Sequence, residues 1–366
     1  MQHIVYYVSG HGFGHLTRSL AIIELLLQHR NDLSIRIKCS SAQAAFAERY
    51  LQERNLTVQI QLFESNFDIV VDPVKVCVDF PSTINNLKMW IKELPARGLR
   101  ECEHVEGKTA LILSDIVPEA FVVAARLGIP AIGISNFTWY EICKEYVPAK
   151  YLAILKEMYQ KATTFLEFPL STGDHMTVSN RTPVGMISRP INENKVKEIR
   201  KRYKKEDRPL LLFSIGGALE LECQALSSGI DWLYTRGVCL PSKDNTFPIP
   251  DDESDIQNYV AACDAVVTKF GWSTLAEAMI AQKPVFLIKA NGGWAEENLI
   301  MPEIKTLNCI RSIVPAELYS FSPDIVSQQI QQMSEFYKSI GERYRYSPED
   351  IIRQLTPYLP VSNMII

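Results

Sequence analysis

The sequence predicts an α/β protein built from two doubly wound parallel-sheet domains. Three observations carry that expectation. From residue 3 to residue 168, short apolar runs rich in β-branched and aromatic residues alternate with amphipathic stretches. The rhythm breaks around residues 183–190, at a Pro-flanked segment followed by a highly charged stretch, and restarts at 209–217. The length, 366 residues, suits two domains of about 150 residues each. Parallel strands need crossover connections, so strands alternating with helices read as βαβ units.

The elements follow in order. Residues 3–8 (HIVYYV) form a strand ending at Ser9-Gly10, and residues 15–29 a helix with Leu16, Leu20, Ile23, Leu26 and Leu27 at three-to-four spacing. Strands at 33–38 and 56–63 flank a helix at 41–54, and 64–108, with Met89 and Trp90, holds a further helix. TALILSD (109–115) is a buried strand backed by a helix at 118–127; IPAIGIS (129–135), a helix at 138–161 and TFLEF (164–168) close this half. The second half opens with a charged helix at 192–205, then a strand at 209–217, a helix near 218–227, a strand at 230–236 and a Pro/Asp-rich loop at 241–254. A helix near 255–262, the strand DAVVTKFG (264–271), a helix at 273–281, PVFLIK (284–289) and a helical region complete it. The expected division is 1–186, 187–340 and a C-terminal helix within 341–366 that packs back on the first domain. Open α/β sheets bind ligands beyond the carboxyl ends of their strands, so two halves facing across a cleft would gather their chemistry there.

Composition excludes several classes. Apolar residues are 47% and charged residues 22%, as in a soluble globular protein. Lys and Arg number 38 against 42 Asp and Glu, a formal charge of −4, which speaks against a nucleic-acid partner. The N-terminus reads as a strand rather than a signal peptide, and no window approaches 18 uninterrupted apolar residues. The eight cysteines show no C-x-x-C pair, as expected of reduced thiols in a cytoplasmic protein. No D-x-D motif stands at a strand end, and the acids at 251–255 read as helix capping and solvated surface, so neither a metal nor another cofactor is expected. The Lys/Arg-rich run at 195–208 reads as a solvated linker helix; peripheral contact with anionic lipid is the less favoured alternative.

The strand ends carry the chemistry. Ser9-Gly10-His11-Gly12-Phe13-Gly14-His15 follows the first strand, where glycines let backbone N–H groups crowd an anion at a helix N-terminus. The glycines run G-x-G-x-G rather than G-x-G-x-x-G, and Lys38-Cys39-Ser40-Ser41 stands where a dinucleotide site needs its acidic ribose ligand, so NAD is disfavoured. His11 and His15 either bond local backbone or act at the cleft, where a neutral imidazole takes a proton from a hydroxyl. Asp115, at the tip of its strand, either orients such an imidazole or caps the helix beginning at Pro118. In the second half, Ser273 and Thr274 open a helix and would face a diphosphate, with Glu277 one turn further in, able to accept from a ribose diol or to bond back to backbone. Ile215-Gly216-Gly217 offers another tight turn, and Glu296, Glu297 and Asn298 could read sugar hydroxyls.

The segments GHGFGHLTRS, LSDIVPEA, SNFTWYEICKEY and KFGWSTLAEAMIAQKPVFLI resemble the glycosyltransferase-like N-terminal region of plant-type L-arabinokinases. More distantly they resemble nucleotide-sugar glycosyltransferases of the GT-B fold such as the MurG family. The resemblance runs from about residue 3 to about residue 315, with no kinase glycine loop in this chain. It implies two Rossmann-like domains, the acceptor bound by the first and a nucleotide-sugar donor, UDP-linked, by the second. It implies inverting, metal-independent transfer of a hexosyl or pentosyl group to a hydroxyl. His15 takes the position of the base and Asp115 that of the strand-end carboxylate. Gly12, Gly14, Gly216, Gly217, Gly271, Ser273, Thr274 and Glu277 fall on the donor and diphosphate positions. Glu296, Glu297 and Asn298 fall near the donor sugar, where MurG-like enzymes tend to carry glutamines, and His11, Arg18 and Asn136 on the acceptor side. A nucleotide-sugar epimerase or hydrolase on the same fold, and a non-catalytic sugar-nucleotide binding module, stay open beside the transferase.

Overall fold

The computed structural model describes residues 2–64, 67, 69–72, 77–105, 107–205, 207–216, 221–223, 226–289 and 295–361. The chain divides into two compact units, Met1–Asp72 with Cys77–Gly185 and Ser347–Ile366, and Met186–Tyr346.

In the first unit, β1 (His3–Val8), α1 (Gly14–His29), β2 (Ser34–Cys39), α2 (Ser41–Glu53) and β3 (Gln59–Leu62) come first. A short antiparallel pair, β4 (Val71–Asp72) and β5 (Cys77–Val78), precedes α3 (Phe80–Val105). Then come β6 (Thr109–Asp115), α4 (Pro118–Leu127), β7 (Ala131–Ser135), α5 (Trp139–Cys143), α6 (Ala149–Tyr159), β8 (Thr164–Glu167) and β9 (Arg181–Pro183). Seven of these strands form one parallel sheet in the order β3-β2-β1-β6-β7-β8-β9. The order reverses between β1 and β6, whose following loops run off in opposite directions and open a crevice at the carboxyl edge. Register places Val8 beside Asp115 at that point. The central strands β1, β6 and β7 read as largely apolar runs because helices cover both faces of a parallel sheet; Ile4, Val5, Ile112 and Leu113 are wholly buried.

The second unit holds α7 (Glu193–Tyr203), β10 (Leu210–Ser214), β11 (Leu221–Glu222), β12 (Asp231–Tyr234), β13 (Val238–Cys239) and β14 (Thr246–Pro248). Next come α8 (Ile256–Ala262), β15 (Ala265–Lys269), α9 (Trp272–Ile280), β16 (Val285–Ile288), α10 (Ala295–Ile304), β17 (Ile310–Ile313) and α11 (Pro323–Glu335). Its main sheet is parallel, in the order β14-β12-β10-β15-β16-β17, and reverses between β10 and β15. Its core joins Leu211, Phe213, Trp232, Val267 and Phe286. The last helix, α12 (Pro348–Leu355), belongs to the first unit. It buries Ile351 and Leu355, and beyond it the Pro360 carbonyl accepts from Arg30 Nη1 at 2.6 Å.

Several elements differ from expectation: β14 lies within the expected loop at 241–254, β17 lies within the expected closing helical region, and two further differences have a readable local cause. The helix expected over 138–161 is two helices, since Pro148, with no N–H to donate and a ring that crowds the preceding residue, separates α5 from α6. Over 218–227, the described residues hold no helix: β11 pairs with β13. The period there is two, with Leu221 packed on the core, Glu222 exposed and Cys223 buried. The basic run also does structural work, as Arg200 and Lys204 pair with Asp264 at 3.1 and 2.9 Å.

One sheet contact needs glycine. Gly133 lies opposite Phe165 in the β7–β8 register, and a Cβ at Gly133 would stand 2.1 Å from the Phe165 ring. Gly133→Ala is expected to cost about 1–3 kcal/mol by overpacking, read as a lower urea midpoint; an unchanged midpoint would mean that the ring moves aside freely.

Candidate active site

In the first unit the site grows out of the β1–β6 reversal. The loop after β1 turns through Gly12, at φ +66°, a left-handed conformation that favours glycine. Gln43 of α2 pins this loop, donating to the Ser9 and Gly12 carbonyls at 2.9 and 2.7 Å. Gly14 opens α1, and His15 follows in its first turn, 8% exposed. Its Nδ1 lies 2.8 Å from Asp115 Oδ1, and its ring meets Phe137 edge-on. Every hydrogen bond described for the imidazole is made through Nδ1, which leaves Nε2 for a proton. His11 sits nearby with its ring edge-on to Trp139 and its backbone N–H on Ser9 Oγ.

Arg18, one turn after His15, is 3% exposed and grips Asp115 with a two-pronged bond, Nε to Oδ2 and Nη2 to Oδ1, each 2.6 Å. Its Nη1 donates to Asn136 Oδ1 at 2.9 Å, and Asn136 in turn donates to the Leu170 carbonyl. Arg18 and Asn136, expected on the acceptor side, are thus buried and brace the carboxylate. Asp115 takes the orienting place rather than a side-chain cap of α4, whose N-cap, Val117, has none. Burial opposes ionisation of Asp115, yet Arg18, and then His15, hold its carboxyl below the usual range. Burial pushes the His15 imidazole down; Asp115 opposes this, while Arg18 and His11 add to it. The ring is therefore neutral at neutral pH, with one nitrogen anchored.

In the second unit the β10–β15 reversal sets Ser214 beside Thr268. Gly216 turns at φ +74°, and a Cβ there would touch Lys269 Cε at 3.8 Å. Lys269, the last residue of β15, is the functional candidate that sequence reasoning missed; its signal is a cation ending an otherwise uncharged, buried strand. Burial lowers its pKa and Glu296, in the first turn of α10, opposes that. Ser273 and Thr274 lie half-buried in the first turn of α9, whose N-cap Gly271 makes no side-chain cap bond. Gly271 is extended, with nothing within 4 Å of a Cβ, so neither backbone nor space demands glycine there. Glu277, expected to accept from a ribose, is 6% exposed and already receives a bond from Arg189 Nη2 at 2.7 Å. Arg189 also holds the Ser254 carbonyl, an anchor with no signal in the sequence. Glu296 is half-buried, Glu297 buried and Asn298 exposed. Gly217 lies outside the described residues. Among the described residues, no group of three or more His, Cys, Asp or Glu is placed to hold a metal ion, and no helix is long and apolar enough to cross a membrane.

No protein-family model matches the chain. The L-arabinokinase of Arabidopsis thaliana is 25% identical over 311 residues, 79% of this chain and 28% of that protein. The chain therefore spans little more than a quarter of that relative's length. Among solved structures, the calicheamicin glycosyltransferase CalG4 superposes with a TM-score of 0.61 at 15% identity, over 99% of both chains. Medicago truncatula UGT71G1 complexed with UDP-glucose gives 0.61 at 13% identity, over 98% of both. The fold is GT-B. Arabidopsis thaliana UGT89C1 complexed with UDP-L-rhamnose agrees, with a TM-score of 0.62 at 10% identity over 98% of this chain and 99% of that one. At such identities the likeness carries the GT-B fold, and the chemistry rests on the side chains above.

Proposed function

We propose that the protein transfers a glycosyl group, hexosyl or pentosyl, from a UDP-linked sugar to a hydroxyl acceptor, with inversion and without a metal ion. The observation that carries this reading is the buried His15–Asp115 pair, with Nδ1 anchored at 2.8 Å at the reversal point of the first sheet. In the step proposed, the acceptor O–H proton passes to His15 Nε2, and the freed oxygen pair attacks the anomeric carbon. The bond from that carbon to the diphosphate breaks, its electron pair leaving with UDP. Lys269 and the first turn of α9 supply the positive potential that the leaving diphosphate needs. Solved neighbours of the fold hold UDP-glucose and UDP-L-rhamnose, and one holds quercetin, which makes UDP-sugars and phenolic hydroxyls the first probes.

The test is UDP release from a panel of UDP-sugars with and without such acceptors. Acceptor-dependent release is the expected result. Release without an acceptor would identify a hydrolase, sugar interconversion without UDP release an epimerase, and a UDP-induced melting shift with no turnover a binding module. Lys269→Met is expected to weaken UDP binding about ten- to a hundredfold by titration calorimetry, the worth of a charge-assisted bond. Unchanged affinity would remove Lys269 from the diphosphate.

A further inference from the structure

A count of hydrogens around Arg18 bears on which nitrogen of His15 is free to act. The Nη2 nitrogen carries two hydrogens. Three acceptor positions surround it: Asp115 Oδ1 at 2.6 Å, Ser135 Oγ at 2.7 Å and His15 Nδ1 at 2.8 Å. The remaining guanidinium nitrogens are directed elsewhere, Nε to Asp115 Oδ2 and Nη1 to Asn136 Oδ1. His15 Nδ1 therefore has two alternatives. It can accept an Arg18 hydrogen, in which case the ring proton sits on Nε2 and that nitrogen cannot take another. Or it can carry the proton and donate to Asp115 Oδ1 at 2.8 Å, leaving a lone pair on Nε2.

We propose that Ser135 sets the tautomer of His15: by accepting the second Nη2 hydrogen, its hydroxyl leaves none for the imidazole and holds the ring in the form with a basic Nε2. The ionised Asp115 claims the first hydrogen, because bonds to a carboxylate are the stronger ones. Ser135 ends β7, wholly buried, in the position to claim the second. Without its oxygen, a buried N–H would be left unpaired at a cost that favours turning it to Nδ1. Ser135 is thus a positioning residue acting through Arg18, and the inference rests on the reading of His15 as the base.

Histidine-selective ¹⁵N labelling with long-range ¹H–¹⁵N correlation tests it, His15 being assigned by loss of its signals in His15→Gln. The wild-type ring is expected as Nδ1–H. Ser135→Ala is expected to move the nitrogen shifts toward the Nε2–H form and to lower kcat at least tenfold with KM for the UDP-sugar unchanged; Ser135→Thr, which restores the acceptor, is expected to return both. A wild-type ring already protonated on Nε2, a measurement that needs no variant, overturns the proposal, as does a Ser135→Ala spectrum identical to wild type. Because the spectra need no turnover, these failures stand apart from failure of the base reading, which appears as full turnover in His15→Ala.

Discussion

His15→Ala is expected to lower acceptor-dependent turnover about 10²- to 10⁴-fold, the range for loss of a positioned general base. UDP affinity should stay within a few-fold of wild type, because the diphosphate is assigned to Lys269 and α9 in the other unit. Pre-steady-state UDP release and calorimetry on the same preparation measure the two quantities. The pH profile gives a sharper check. Burial, reinforced by Arg18 and His11 and opposed by Asp115, holds the imidazole below its ordinary value of 6.5. The neutral ring is the competent form, so activity is lost only as pH falls through that lowered pKa. The acid limb of kcat/KM should therefore have its midpoint below 6.5 and vanish from the residual activity of His15→Ala. A midpoint at or above 6.5 would mean that Asp115 dominates over burial. Full turnover in the alanine variant would remove His15 from the chemistry.

Much of this arrangement was legible in the sequence, for a definite reason. In a parallel sheet the strand ends are readable from apolar runs that stop at Gly, Ser or Asp, and the crevice at the reversal point forms from such ends. His15 follows the first run and Asp115 ends the fourth, and the β1–β6 register sets their strands side by side. Illegible were the contacts whose partners are set by tertiary packing alone. Arg18 lies in the segment GHGFGHLTRS, but its partners Asp115, Ser135 and Asn136 lie 97, 117 and 118 residues away. Glu277 is readable from its place one turn into a helix, while its partner Arg189, 88 residues back in a Pro-flanked segment, carries no pattern. The same limit explains the missed β11–β13 pair: two-residue strands leave too short a period to tell from a helix, and only the packing of Leu221 and Cys223 on the core decides.

Asp115→Ala is expected to fail differently from His15→Ala, by loss of fold stability as well as activity. The carboxylate, wholly buried, answers three charge-assisted contacts from Arg18 and His15, and Ser19 Oγ lies 3.4 Å from Oδ2. Removing it strands the Arg18 guanidinium in the interior, a loss of about 3–5 kcal/mol where a buried pair is broken from one side. Urea denaturation of the first unit should show this as a lower midpoint, whereas His15→Ala, which leaves the Arg18–Asp115 pair intact, should unfold close to wild type. The double variant Asp115→Leu with Arg18→Met separates charge from shape. Replacing both partners by apolar side chains removes the stranded charge, so much of the stability should return. Ser135 and Asn136 lose a donor in that background, which keeps the recovery short of complete. Turnover should not return at all, since nothing then orients the imidazole. If Asp115→Ala were as stable as wild type, the guanidinium would have to be reaching water, and the buried support for His15 would lose its physical basis.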